Sequence, residues 1–203
     1  MGSQGPGKAT VDGEEKMKKK FYYYIIAFLS VSFVLSGCGY TTRSMISDKF
    51  RTIYIVPFVN KVDITQETYV GSKYKIYRPM LETDITRAVT NKYLFDGNLR
   101  PTKTDAADLT LKGELVDYRK DPLRYDTNDE VEEYRINLVV NIRLWDNKED
   151  KLVWEENNFT GDAAYYPASS TLQNVVKKSD DQAVSDALDD LARRIVERTV
   201  EEW

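Results

Sequence analysis

The sequence predicts an α+β fold: a two-layer sandwich with two helices packed on one face of a four-stranded, mostly antiparallel sheet, in the order β-α-β-β-β-α. Three observations carry this expectation. Residues 133–144 alternate apolar and polar side chains with one exception, Val139, and such alternation marks a strand with one buried and one wet face. Leu81, Ile85, Ala88 and Val89 recur at helical spacing, as do Val184, Leu188, Leu191, Ile195 and Thr199 near the end of the chain. Two one-sided helices and a one-sided sheet can bury one another, leaving a polar sheet face open.

The first strand is Arg51–Asn60, rich in β-branched and aromatic residues, with Pro57 marking an edge or a strand end. A long loop, Lys61–Lys75, surrounds Gly71, and then Pro79 sits near the first turn of a helix, where its missing N–H costs little. That helix stops before Gly97. Asp108–Arg119 sets Leu109, Leu111, Gly113 and Leu115 against Thr110, Lys112 and Glu114. In Glu133–Trp145, Tyr134, Ile136, Leu138, Val140, Ile142 and Leu144 face one way, while Glu133, Arg135, Asn137, Asn141 and Arg143 face the other. A turn at Asn147–Asp150 leads to a strand at Lys151–Thr160, which closes an antiparallel meander. Ser179 and Gln182 have capping-box spacing, and Asp180 and Asp181 favour the positive end of the last helix.

The fold is read from residues 51–203. Residues 1–16 lack periodicity and are an extension or a cloning remnant ahead of a true start at Met17. Residues 17–37 have the layout of a secretory signal: Lys18, Lys19 and Lys20, then an apolar run from Phe21 to Leu35, then small residues. The run is shorter than the roughly 20 residues of a spanning helix. Its ending, Leu35-Ser36-Gly37-Cys38, resembles the lipobox of bacterial lipoproteins, in which the leader is removed before the cysteine. Cys38, the only cysteine, is then a lipid attachment site carrying diacylglycerol and an N-acyl chain such as palmitate. Residues 38–50 become the acylated N-terminus and tether. Two or more acyl chains give stable attachment where one gives marginal binding. Gly39 stands where an Asp commonly retains such lipoproteins in the inner membrane, so sorting to the periplasmic face of a Gram-negative outer membrane is expected.

Charge and composition exclude several functions. From Cys38 onward, 24 basic and 30 acidic residues leave a net charge of −6, without the basic excess of a nucleic-acid binder. There is no histidine, so the commonest general base and metal ligand is missing. No phosphate-binding glycine loop and no nucleophile elbow occur. Adjacent carboxylates such as Asp129-Glu130, Glu132-Glu133 and Glu155-Glu156 read as wet edges and turns rather than a hydrolytic pair across a cleft. The chain is therefore expected to be no enzyme, with no catalytic residues, no metal and no bound cofactor. Arg119, Lys120 and Arg124 cluster around Pro122 in the loop after the second strand. They could meet phosphates through charge-assisted hydrogen bonds, or form an ordinary hairpin loop. Arg135 and Arg143 are about 27 Å apart along one strand and cannot share one compact site; Arg135 is expected to pair near Glu114. Tyr165-Tyr166-Pro167 is an aromatic knot in the loop before the last helix, expected to pack beneath it.

A family resemblance runs through nearly all of Cys38–Trp203. Cys38-Gly39-Tyr40 follows the lipobox, and Ile53-Tyr54-Ile55-Val56-Pro57-Phe58-Val59-Asn60 forms the first strand. Tyr93-Leu94-Phe95 ends the helix, Ala106–Leu115 opens the next strand, and Glu133-Tyr134-Arg135-Ile136 and Leu152-Val153-Trp154-Glu155 mark the last two. The series resembles the LptE family of lipopolysaccharide-assembly lipoproteins. The resemblance implies an outer-membrane lipoprotein with two helices on a four-stranded sheet, which sits as a plug inside the β-barrel LptD, helps it assemble and binds lipopolysaccharide on its way to the cell surface. Arg119, Lys120 and Arg124 are then candidates for lipopolysaccharide phosphates. The alternative is a lipoprotein that activates a periplasmic cell-wall synthase, which the Val56-Pro57-Phe58 strand also resembles. The tether of about eleven residues, Gly39–Lys49, spans at most about 39 Å, short for that reach.

Overall fold

The alternating segments become strands and both helical stripes become helices. The computed structural model describes Tyr22 and residues 49–62, 78–104 and 106–201. The rest of the expected signal peptide, Cys38, most of the expected tether and residues 63–77, which include most of the long loop, lie outside the described residues. Residues 1–42 and 43–203 are separate units, and the elements below all belong to the second. They are β1 (Thr52–Ile55), β2 (Val59–Asn60), α1 (Leu81–Asp96), β3 (Arg100–Thr102), β4 (Leu109–Tyr125), β5 (Val131–Asp146), β6 (Lys151–Tyr165) and α2 (Asp180–Glu201).

The sheet corrects the expectation of four mostly antiparallel strands. It has six, in the order β3-β1-β4-β5-β6, with β2 also on β4. β4, β5 and β6 form the antiparallel meander, but β1 runs parallel to both β3 and β4, and β2 runs parallel to β4. A parallel neighbour needs a crossover of a dozen or more residues. Helix α1 lies on the connection that returns the chain from β1 to β3. Arg100-Pro101-Thr102 is too short to show a period, so it could not be read as a strand.

Pro57 divides the first strand in two. Val56 still donates to Leu111 O at 3.0 Å, after which Phe58 turns its ring over Gly113. A Cβ on Gly113 would lie 2.1 Å from that ring, so only glycine fits beneath it. The Phe58 N–H leaves the sheet and donates to Thr86 Oγ1 on α1 at 2.9 Å. Pairing resumes at Val59, and Lys61 N–H reaches Leu115 O at 2.8 Å.

Leu81, Ile85, Val89 and Tyr93 form the buried stripe of α1, which ends at Gly97 in the left-handed region at φ 78°. The α2 capping box forms as expected: Ser179 N–H donates to Gln182 Oε1 and Gln182 N–H to Ser179 Oγ. Ala183, Val184, Ala187, Leu191, Ala192, Ile195 and Val196 are buried. At Gly161 a Cβ would lie 2.4–2.6 Å from Leu191 atoms, backbone included. The helix thus rests directly on the β6 backbone. Tyr93 and Thr199 join the helices inside the core through a 2.6 Å hydroxyl pair.

One carboxylate holds the parallel and antiparallel parts together. Asp108 Oδ2 accepts from Arg51 N at 2.8 Å, Thr52 N at 3.0 Å and Thr52 Oγ1 at 3.0 Å, and Lys148 Nζ lies 2.7 Å from Oδ1. Lys148 first, then these backbone and hydroxyl donors, outweigh desolvation and hold the Asp108 carboxyl well below the usual carboxylate range. A depressed folded-state pKa contributes stability that is complete above the unfolded value of about 3.9 and is lost as the pH falls through the folded value. Asp108→Asn should therefore lower stability at neutral pH by about 1.5–3 kcal/mol in urea unfolding. Its gap to wild type should narrow progressively below about pH 4; a gap that does not change with acidification would contradict this role.

Candidate functional site

Helices α1 and α2 cover only one side of the sheet. On β5, Ile136, Leu138, Val140, Ile142 and Leu144 are buried on that side, and the odd-numbered residues form the other. Val139 alone is a buried aliphatic residue on the open side. Register extends the open face to Lys112, Glu114, Asp117, Arg119, Asp121 and Arg124 on β4, and to Thr160, Asp162 and Ala164 on β6.

The segment expected as a loop around Pro122 is part of β4, with Pro122 opposite Tyr134. Beyond Leu115 no described strand pairs with the outer edge of β4, and an edge tolerates a residue without an N–H. Proline and mixed charges mimicked a turn because edge strands use the same residues to discourage further pairing.

This placement splits the predicted trio. Lys120 points to the helix side: its Nζ lies 2.7 Å from Asp180 Oδ2 at the start of α2, 4.2 Å from the Tyr134 ring centroid and 5.6 Å from that of Tyr165. Its side chain is only 14% exposed. The Tyr165 hydroxyl donates to the other Asp180 oxygen at 2.5 Å, and the two tyrosine rings stack at 6.0 Å. Burial, reinforced by Asp180, pushes the Tyr165 phenol up. Although burial opposes it, Lys120 and Tyr165 bring the Asp180 carboxyl down. Tyr165 therefore ends β6 and packs against the start of α2, as the aromatic knot was expected to do, though in a strand rather than a loop. Nearby, Glu132 is buried and accepts from the Thr171 hydroxyl, so it is not the wet-edge residue that its neighbour Glu133 suggested.

Arg119 and Arg124 lie on the open face, each beside a carboxylate. Arg119 Nε is 3.2 Å from Asp117 Oδ2, and Arg124 Nε is 3.7 Å from Glu133 Oε2. Arg135 pairs with Asp162 at 3.6 Å rather than near Glu114, because Asn141, not Arg135, stands opposite Glu114. Arg143 Nε meets Glu155 at 2.8 Å, and Asn137 Nδ2 donates to Asp121 Oδ2 at 2.7 Å. Arg135 thus joins Arg119 and Arg124 at one end of the face, a grouping hidden until the β4–β5 register is known. Exposed pairs of this kind are worth about 0–1 kcal/mol, so an incoming phosphate, which arginine can grip bidentately, can replace the carboxylate. The helix side offers shallow clefts of about 300 and 360 Å³ between α1 and α2, one holding the Arg78–Asp181 pair and the other bordered by Phe95. Among the described residues, no helix is long and apolar enough to cross a membrane, and no group of three His, Cys, Asp or Glu is placed to hold a metal ion.

A family model described as LptE, Lipopolysaccharide-assembly, matches residues 50–199. No curated relative matches the sequence. Among solved structures, a protein from Xanthomonas campestris is 13% identical, with 73% of this chain and 83% of that one covered at a TM-score of 0.49. A lipoprotein from Nitrosomonas europaea is 12% identical, covering 74% and 83% at a TM-score of 0.45. A lipoprotein from Neisseria meningitidis is 10% identical, covering 72% and 98% at 0.39.

The position of Lys120 makes it a structural brace between β4 and α2. Lys120→Met, which keeps the stem and removes the charge, should destabilise the fold by about 1–3 kcal/mol, read from thermal or urea unfolding. A variant as stable as wild type would show that the brace carries no load.

Proposed function

Because the chain belongs to the LptE family of lipopolysaccharide-assembly proteins, we propose that it is a non-catalytic outer-membrane lipoprotein, anchored through acylated Cys38, that partners an LptD-type β-barrel and binds lipopolysaccharide in transit. The observation that supports this reading most is the open sheet face. It is broad, polar and charge-paired, suited to wet contacts inside the aqueous lumen of a large barrel. The anchor holds the domain at the periplasmic leaflet and raises its effective concentration beside the barrel.

Arg119 and Arg124, with Arg135, supply the phosphate contacts in this reading. Lys120 takes no direct part and supports the strand from beneath. The chain has no histidine, and Arg119, Arg124, Arg135 and Arg143 on the open face each stand beside a carboxylate.

Affinity capture from detergent-solubilised membranes should return a large β-barrel with the wild-type chain. Arg119→Glu combined with Arg124→Glu should weaken lipopolysaccharide binding at least about tenfold with the fold intact by circular dichroism. Recovery of a cell-wall synthase in place of a barrel, or unchanged lipopolysaccharide binding by the double variant, would overturn the respective part of the reading.

A further inference from the structure

We propose that the open-face carboxylates are built-in competitors of the phosphate ligand: Asp117, Glu133 and Asp162 occupy Arg119, Arg124 and Arg135 until a phosphate displaces them. This rests on the lipopolysaccharide-binding reading and adds a control on its strength.

The structure leaves the arginines more exposed than the acids beside them. Glu133 stands directly across the β4–β5 ladder from Arg124, and its side chain is 18% exposed against 55% for the arginine. Asp117 is 30% exposed against 44% for Arg119. In both pairs the carboxylate is the less exposed partner. A ligand arriving from the open side meets arginines already turned toward an anion. Asp162 is shared further: Arg194 on α2 lies 3.8 Å from its other oxygen. Asp121, the remaining acid of this group, is held by Asn137 and leaves the arginines to the other three.

Stability gives these pairs little reason to exist, since exposed ion pairs contribute about 0–1 kcal/mol. Their larger effect is on an incoming anion. Each phosphate contact must first displace a tethered carboxylate, so the net gain per contact is small. A site that passes its ligand onward needs this property: binding strong enough to accept the molecule and weak enough to release it. The same carboxylates disfavour anions that offer only one contact, because a single exchange yields almost nothing, whereas a ligand with several phosphates recovers the difference at several arginines.

The test measures equilibrium binding of diphosphorylated lipid A, and of the same lipid after dephosphorylation, to the full chain in detergent. Asp117→Asn with Glu133→Gln keeps side-chain shape and removes the competitors. It should bind the phosphorylated lipid about three- to tenfold tighter than wild type, with slower release and no change toward the dephosphorylated lipid. Glu133→Gln alone should move in the same direction by a smaller factor. Asp150→Asn with Asp189→Asn changes the net charge equally at exposed sites off this face and should leave affinity near the wild-type value. Equal tightening in both double variants, or none in the first, would overturn the competition while leaving lipopolysaccharide binding in place. A wild-type chain that does not bind the phosphorylated lipid at all would overturn both.

Discussion

Two helices can cover one face of this sheet and no more, and the rest of the molecule follows from that limit. The covered side is tight: α2 sits on the bare backbone at Gly161, and Tyr93 meets Thr199 between the helices. With the apolar residues of β4, β5 and β6 committed to this layer, the opposite side had to remain compatible with water. It does so by pairing charges locally: Arg119, Arg124, Arg135 and Arg143 each stand beside a carboxylate.

The same limit exposes the long β4–β5 hairpin. Beyond Leu115 no described strand covers the edge of β4, and the hairpin is held from the helix side by Lys120, Tyr134, Tyr165 and Asp180. Two adjacent residues of one strand therefore take opposite duties. Lys120 braces the hairpin on α2, while Arg119 faces outward among carboxylates. Alternation along a strand is enough to set neighbouring cations on opposite faces.

Much of this was legible in the sequence. The β5 period, the α2 capping box and both buried helical stripes could be read because each is a local pattern, repeated over several turns or pleats. What could not be read depended on long-range pairing. β3 has three residues and no period, and the parallel placement of β1 between β3 and β4 leaves no local trace. Pro122 and its charged neighbours imitate a loop because an edge strand and a turn are both places where backbone pairing stops. Arg135 was assigned the wrong partner for the same reason: its acid lies on the next strand, at a register that no local rule supplies. The family resemblance, in contrast, survived because it rested on the order of many segments rather than on one contact, and it is matched over residues 50–199.

The central claim is that the uncovered sheet face is the working surface and the helix side a structural one. It is tested most directly by placing a photo-crosslinking side chain at Lys112 or Ala164, exposed on the open face, and at Asn91 or Asp189, exposed on the helices, in living cells. The account predicts lipopolysaccharide adducts from the two sheet positions and none from the two helix positions. Adducts confined to Asn91 and Asp189 would contradict it.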